Sequence, residues 1–232
     1  MKFSSNFFFK KFFLIFIFLG VASSSAFCQT TSWKGTTSTN WSTATNWTNG
    51  VPAATVDAII GDASFTGSFQ PTFSTTSYCN NLVIGGTVNA TLTASKTVYA
   101  SGNITINSGS TITHTAGTIS TKGSWTNNGT YTGTISTVIV NFVTTGKSIN
   151  GTSITNFQKL TINSSCIITS NVNITVATLF TLSGTFIPAE NATPVVVSGA
   201  GALTVGAAGV LKVNAATYGG NYTLSGAVTL TA

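Results

Sequence analysis

From residue 81 onward, apolar positions alternate with hydroxyl-bearing ones, as in Leu82-Val83-Ile84, Ile104-Thr105-Ile106, Leu160-Thr161-Ile162, Ile174-Thr175-Val176 and Leu203-Thr204-Val205. Period two predicts strands with one buried face. Between the runs stand Gly85-Gly86, Ser108-Gly109, Asn128-Gly129, Asn150-Gly151, Ser183-Gly184, Gly199 and Gly219-Gly220, residue types that permit the tight bends a chain of short strands needs. Comparable positions recur at a nearly fixed interval: Leu82 to Ile104 is 22 residues, Ile104 to Trp125 is 21, Leu160 to Leu182 is 22, and Leu182 to Leu203 and Leu203 to Leu224 are 21 each. The 35 residues from Trp125 to Leu160 break the series and are expected to hold an insertion or an extra partial turn. Thr181-Leu182-Ser183-Gly184 returns as Thr223-Leu224-Ser225-Gly226, which reads as the same place two periods on.

A period in the twenties, built of short strands without helices, predicts an all-β fold, a parallel β-solenoid in which each coil stacks on the last. The alternative is a tandem β-sandwich, in which the Asn-Gly pairs would be hairpin turns. Composition sharpens the choice against helices. Only 5% of residues are charged, and the usual formers of surface helices are nearly missing. Thr, Ser, Asn and Gly make up roughly half of the chain, so hydroxyls and amides must do the solvating that charged side chains do elsewhere.

The first 28 residues have a different grammar. Lys2, Lys10 and Lys11 precede the apolar run from Phe12 to Leu19, and small residues from Ala22 to Ala26 follow, the order of a secretory signal peptide. The run is shorter than the roughly 20 apolar residues that span a membrane. Cleavage is expected after Cys28, with Ala26 as the alternative, and Phe27 before Cys28 argues against lipidation. The expected destination is therefore the cell exterior or the outer cell surface, with no membrane span after signal cleavage. Removing the segment takes three lysines, so the formal charge falls from +6 to +3 and nucleic acid is not an expected partner. In an oxidising compartment Cys79 and Cys166 either pair or stand as two small buried side chains, and spacing does not decide between them.

Residues 33 to 60 concentrate three of the four tryptophans: Trp33-Lys34-Gly35, Asn40-Trp41, Asn46-Trp47, then Gly50-Val51-Pro52 and Asp57-Ala58-Ile59-Ile60. Trp33, Trp41 and Trp47 read either as a platform for sugar rings or, preferably, as a cap covering the open end of the first coil. This order, followed by Cys79-Asn80-Asn81-Leu82-Val83-Ile84, resembles the start of large repetitive cell-surface proteins exported by Gram-negative bacteria through type IX secretion, and similar modules occur in autotransporter-like passengers. Lys147-Ser148-Ile149-Asn150-Gly151 with Phe157-Gln158-Lys159-Leu160-Thr161-Ile162 resembles their repeat unit. The resemblance implies a right-handed parallel β-helix with an adhesive role. Such proteins end in a sorting domain, whereas this chain stops at Ala232 within a repeat, so the solenoid is expected to be truncated.

The division is thus 1–28 signal peptide, 29–80 Trp-rich cap and first strands, and 81–232 solenoid repeats. Chemistry is sparse. The acids outside the leader are Asp57, Asp62 and Glu190, there is no Arg, and glycoside hydrolysis needs two carboxylates facing one bond. Asp57 and Asp62 flank Gly61 at an expected turn, Glu190 falls in an irregular stretch, and His114 is read as an outward strand residue. No catalytic, cofactor or metal site is predicted. The expectation is a non-enzymatic structural or adhesive surface protein whose partners are surface polysaccharide or other cell-surface proteins. The alternative is a carbohydrate-binding or carbohydrate-active module with its catalytic part outside this chain. A third class, ice binding through Thr-x-Thr units such as Thr91-Leu92-Thr93 and Thr111-Ile112-Thr113, is disfavoured because the units do not recur at a constant place in each period.

Overall fold

The computed structural model describes residues 29–190, 193–214 and 218–231; the leader, with its cleavage alternatives, lies outside them. Every ladder between strands is parallel, which establishes the solenoid and excludes the sandwich, whose hairpins would pair antiparallel. Each coil has three sides. The first is a sheet of nine strands: Gln29–Ser32, Val56–Ile60, Leu82–Ile84, Ile104–Ile106, Trp125–Asn127, Lys147–Gly151, Ile167–Ser170, Thr185–Pro188 and Val210–Leu211. Nine strands stacked on one side make eight turns. The second side runs through Thr91–Ala94, Thr111–His114 and Thr130–Gly133 to Val197–Gly199 and Tyr222–Leu224, and the third from Ser77–Cys79 through Val98–Ala100, Thr118–Thr121 and Ile139–Phe142 to Ala202–Val205 and Val228–Leu230. The long strands Thr155–Ile162 and Ile174–Leu182 run across both, joining the two sides into one sheet.

Alternation explains the core. On the third side Val98, Ile119, Val140, Leu160, Phe180 and Leu203 stack in register, each 0–1% exposed, while the residue after each points outward. Burying one such side chain contributes about 1.5–3 kcal/mol, so the inward rows are the main source of cohesion between coils. Trp125, Tyr131 and Phe157 fill the middle of the rod with tilted and edge-on ring contacts 5.1–5.8 Å between centroids.

A polar ladder runs up the corner that leads into the first side. The Asn81 side chain donates to Asp57 Oδ1 (2.8 Å) and its Oδ1 accepts the Asn103 N–H (2.7 Å); Asn103 Oδ1 accepts the Ser124 N–H (2.8 Å), and Ser124 Oγ accepts the Ser148 N–H (3.1 Å). These residues immediately precede Ala58, Leu82, Ile104, Trp125 and Ile149, which are stacked partners. Five successive coils of this side are thereby fastened one to the next by bonds that no sheet supplies.

The repeat spacing holds for the early coils, where Leu82, Ile104 and Trp125 are stacked neighbours, and fails later. The 35-residue gap is an extra partial turn and not an insertion: Trp125 stacks on Ile149, 24 residues and one whole coil on, and Leu160 lies part of a turn further, on a different side. Leu160 stacks on Phe180, not Leu182, and Leu203 stacks on Val228. Leu182 and Leu224, despite sharing the Thr-Leu-Ser-Gly motif, end strands on different sides. Corner lengths vary from coil to coil, so composition repeats while register drifts. Among the described residues no helix is long and apolar enough to cross a membrane.

Candidate functional site

Inward rows are sealed, so anything this molecule binds must meet its outward rows and corners. On the third side the central outward row reads Tyr78, Tyr99, Ser120, Asn141, Thr161, Thr181, Thr204 and Thr229, one residue per coil. Tyr78 and Tyr99 are 48% and 45% exposed and stacked, with centroids 5.4 Å apart and planes inclined by 18°. Beside them lies a groove of about 400 Å³ lined by Ala54, both tyrosines, Ser101, Ser120 and Lys122 among others. Sequence reading passed over this pair. The available signal was their separation of 21 residues, one coil, each between two inward residues (Ser77 and Cys79, Val98 and Ala100).

The second side carries a row of Asn40, Thr72, Thr93, Thr113, Thr132, Asn156, Thr175, Ser198 and Thr223. Thr91, Thr111 and Thr130 form a second column beside it, so three Thr-x-Thr units do stack in register. The third, Thr130-Tyr131-Thr132, was hidden by a coil one residue shorter than the one before; beyond these three coils the unit does not recur at that place, as expected.

The tryptophans form no surface platform. Trp33, Trp41 and Trp47 are 0%, 1% and 2% exposed, and each meets another edge-on: Trp33 and Trp47 at 5.1 Å, Trp41 and Trp47 at 4.6 Å, Trp41 and Phe73 at 4.5 Å. They occupy the first coil, on an excursion between Gln29–Ser32 and Val56–Ile60. Buried Asn46 folds that excursion: its Oδ1 accepts the N–H of Thr37 (2.9 Å) and Ser38 (3.2 Å), and its Nδ2 donates to the Ser38 carbonyl (2.8 Å). The Trp33 and Trp47 indoles donate to the carbonyls of Phe69 (2.7 Å) and Trp41 (2.8 Å). Trp33, Trp41 and Trp47 thus offer no ring face to a glycan, because the fold spends them on closing its own first coil.

Cys79 and Cys166 are separate buried thiols. Four coils lie between them, roughly 19 Å at about 4.8 Å per coil, against the 5.5–6 Å between Cα atoms that a disulfide spans. The paired alternative is therefore excluded. Burial, reinforced by the negative charge of Asp57, pushes the Cys79 thiol up to about 12; burial also raises Cys166.

The acids have structural partners. Asp57 lies within a strand rather than at a turn, and its Oδ1 accepts from Asn80 Nδ2 (2.8 Å), Asn81 N (3.0 Å) and Asn81 Nδ2 (2.8 Å), closing the corner ladder at its lower end. Asp62 accepts from the Ser32 hydroxyl and the Ser64 N–H (2.9 Å). His114 points inward, contrary to expectation, and is fully buried, with Ala94 and Gly133 as its in-register neighbours one coil below and above. Its Nδ1 lies 2.8 Å from the Tyr131 hydroxyl. Burial lowers His114 to about 4, against an opposing effect of the backbone at Gly117 and Ala116, and burial raises Tyr131, so a neutral imidazole faces a neutral phenol. Among the described residues no three metal-ligating side chains gather. Comparison with protein-family models, curated proteins and solved structures returned no match.

Proposed function

We propose that this chain is a non-catalytic structural and adhesive solenoid, exported through the leader at residues 1–28 and displayed outside the cell as part of a large surface protein of the type IX kind. The observation that carries the reading is the pair of outward rows, in which hydroxyls and amides repeat once per coil along the length of the rod. A surface that offers the same weak contact at every coil gains strength by multiplying it, as attachment to a polymer or a cell coat requires. Asp57 and Asp62 support the non-catalytic part, since both carboxylates are engaged in holding the fold. The test is binding of the purified chain to intact bacteria and to immobilised polysaccharides, beside a hydrolysis screen on the same polysaccharides. Retention without turnover is expected; turnover abolished by Asp57→Ala or Asp62→Ala would reject the reading.

A second reading rests on the two threonine columns of the second side. Regularly spaced hydroxyls on a flat sheet also fit the surface of ice. Thermal hysteresis that disappears in Thr111→Tyr would move the assignment there.

A further inference from the structure

We propose that the groove beside Tyr78 and Tyr99 binds an extended polysaccharide strand, laid along the solenoid axis with a sugar ring against Tyr99. The proposal rests on the adhesive reading and names its ligand class. Four observations carry it. First, the outward row is otherwise made of small polar side chains, and only at two adjacent coils does it present large rings, both nearly half exposed. Tyr131 and Tyr222, by contrast, are 2% exposed, so this chain buries its tyrosines where they serve the fold. Second, the pair is already stacked, and holding two rings parallel in advance removes the ordering cost a flexible aromatic would meet on binding.

Third, the row steps down from Tyr99 to the smaller Ser120, which is 6% exposed, so no further aromatic ring follows Tyr99 one coil higher. The axial C–H groups of a pyranose make an apolar face that suits an exposed phenol ring, and its equatorial hydroxyls need polar neighbours. Ser101, Ser120 and Lys122 line the groove at the required place, with Lys122 supplying a donor at the rim. Fourth, the groove crosses successive coils from Ala54 to Val143, so its axis is that of the rod.

Affinity electrophoresis of the purified full chain through gels containing β-glucan, xylan or galactomannan tests this. The parent is expected to be retarded by at least one of them. Tyr99→Ala should weaken that binding about tenfold, equivalent to about 1.4 kcal/mol, while the melting temperature falls by no more than about 4 °C, since the ring is nearly half exposed. Tyr99→Phe should keep it, and Thr181→Ala, far along the same row, should not matter. Retardation that is equal in the parent and Tyr99→Ala overturns the groove and leaves the adhesive reading standing. No retardation in any gel, with cell binding intact, overturns the groove and assigns adhesion to a protein partner. Loss of both kinds of binding rejects groove and adhesive reading together.

Discussion

Truncating Trp47 to Ala tests whether the first coil is closed by its indoles. Trp47 is 2% exposed, meets Trp33 and Trp41 edge-on, and donates its indole N–H to the Trp41 carbonyl. Emptying a site of this size costs about 3–5 kcal/mol through lost burial and the cavity left behind. Two aromatic contacts add about 0.5–1.5 kcal/mol each, and an unpaired carbonyl adds about 1–3 kcal/mol if water cannot reach it. These terms overlap, and about 5 kcal/mol is the expected sum. For a chain of this length each kcal/mol lowers the melting temperature by about 2–4 °C, so a cooperative rod should melt about 10–20 °C earlier. A solenoid also offers a second outcome, in which the terminal coils unravel first and the transition splits in two. Differential scanning calorimetry separates the cases, and Trp47→Phe, which keeps a ring but not the N–H, should fall between parent and Ala. A Trp47→Ala chain that melts within 2 °C of the parent in one transition would refute the closure argument.

Other parts of the structure make further commitments. His114 is held neutral, with a folded value of about 4 against 6.5 in the unfolded chain, so its contribution is complete above pH 6.5 and is lost as pH falls toward 4. The loss is on the order of 3 kcal/mol; denaturant titrations should show it in the parent but not in His114→Leu, and equal slopes in both would reject it. Cys79 and Cys166 should resist a thiol reagent in the native state and both react on unfolding under non-reducing conditions, whereas a disulfide would leave them silent throughout. Gly151 has φ +128°, and a Cβ there would sit 2.0 Å from the Asn127 carbonyl oxygen, so Gly151→Ala should cost about 3 kcal/mol or more by urea denaturation; a loss under 1 kcal/mol would show that the coils can part.

Alternation and glycine punctuation make the solenoid legible, because inward and outward residues obey a parity that no corner can change within a strand. His114 obeys it too. It shares the parity of Ile112, and Ala94 and Gly133 stand one coil below and above; a polar side chain between two threonines was nevertheless assigned to the outside, against its parity. Which side of the rod a residue occupies is less legible, since it depends on the summed length of preceding corners, and a difference of a few residues moves Leu224 from one side to another. The tryptophans are legible as a cap rather than a sugar platform, because an indole is large enough to fill a coil, and here it does. The tyrosine pair stands outside by strand parity, and its marks in the sequence are a spacing equal to one coil and a place between two inward residues.

The corner ladder and the sheet bonds all point along the rod, while the strands run around it. A pull between the two ends of the rod therefore does not shear whole sheets at once. It loads the last coil alone, peels its hydrogen bonds in sequence, and passes the tension to the coil beneath. Each coil of 21 residues, as between Ile104 and Trp125, would release about 70 Å of chain in place of a single rung. In the proposed role, with one end held at a cell and the other at a bound surface, such a rod would lengthen stepwise under load instead of transmitting it rigidly.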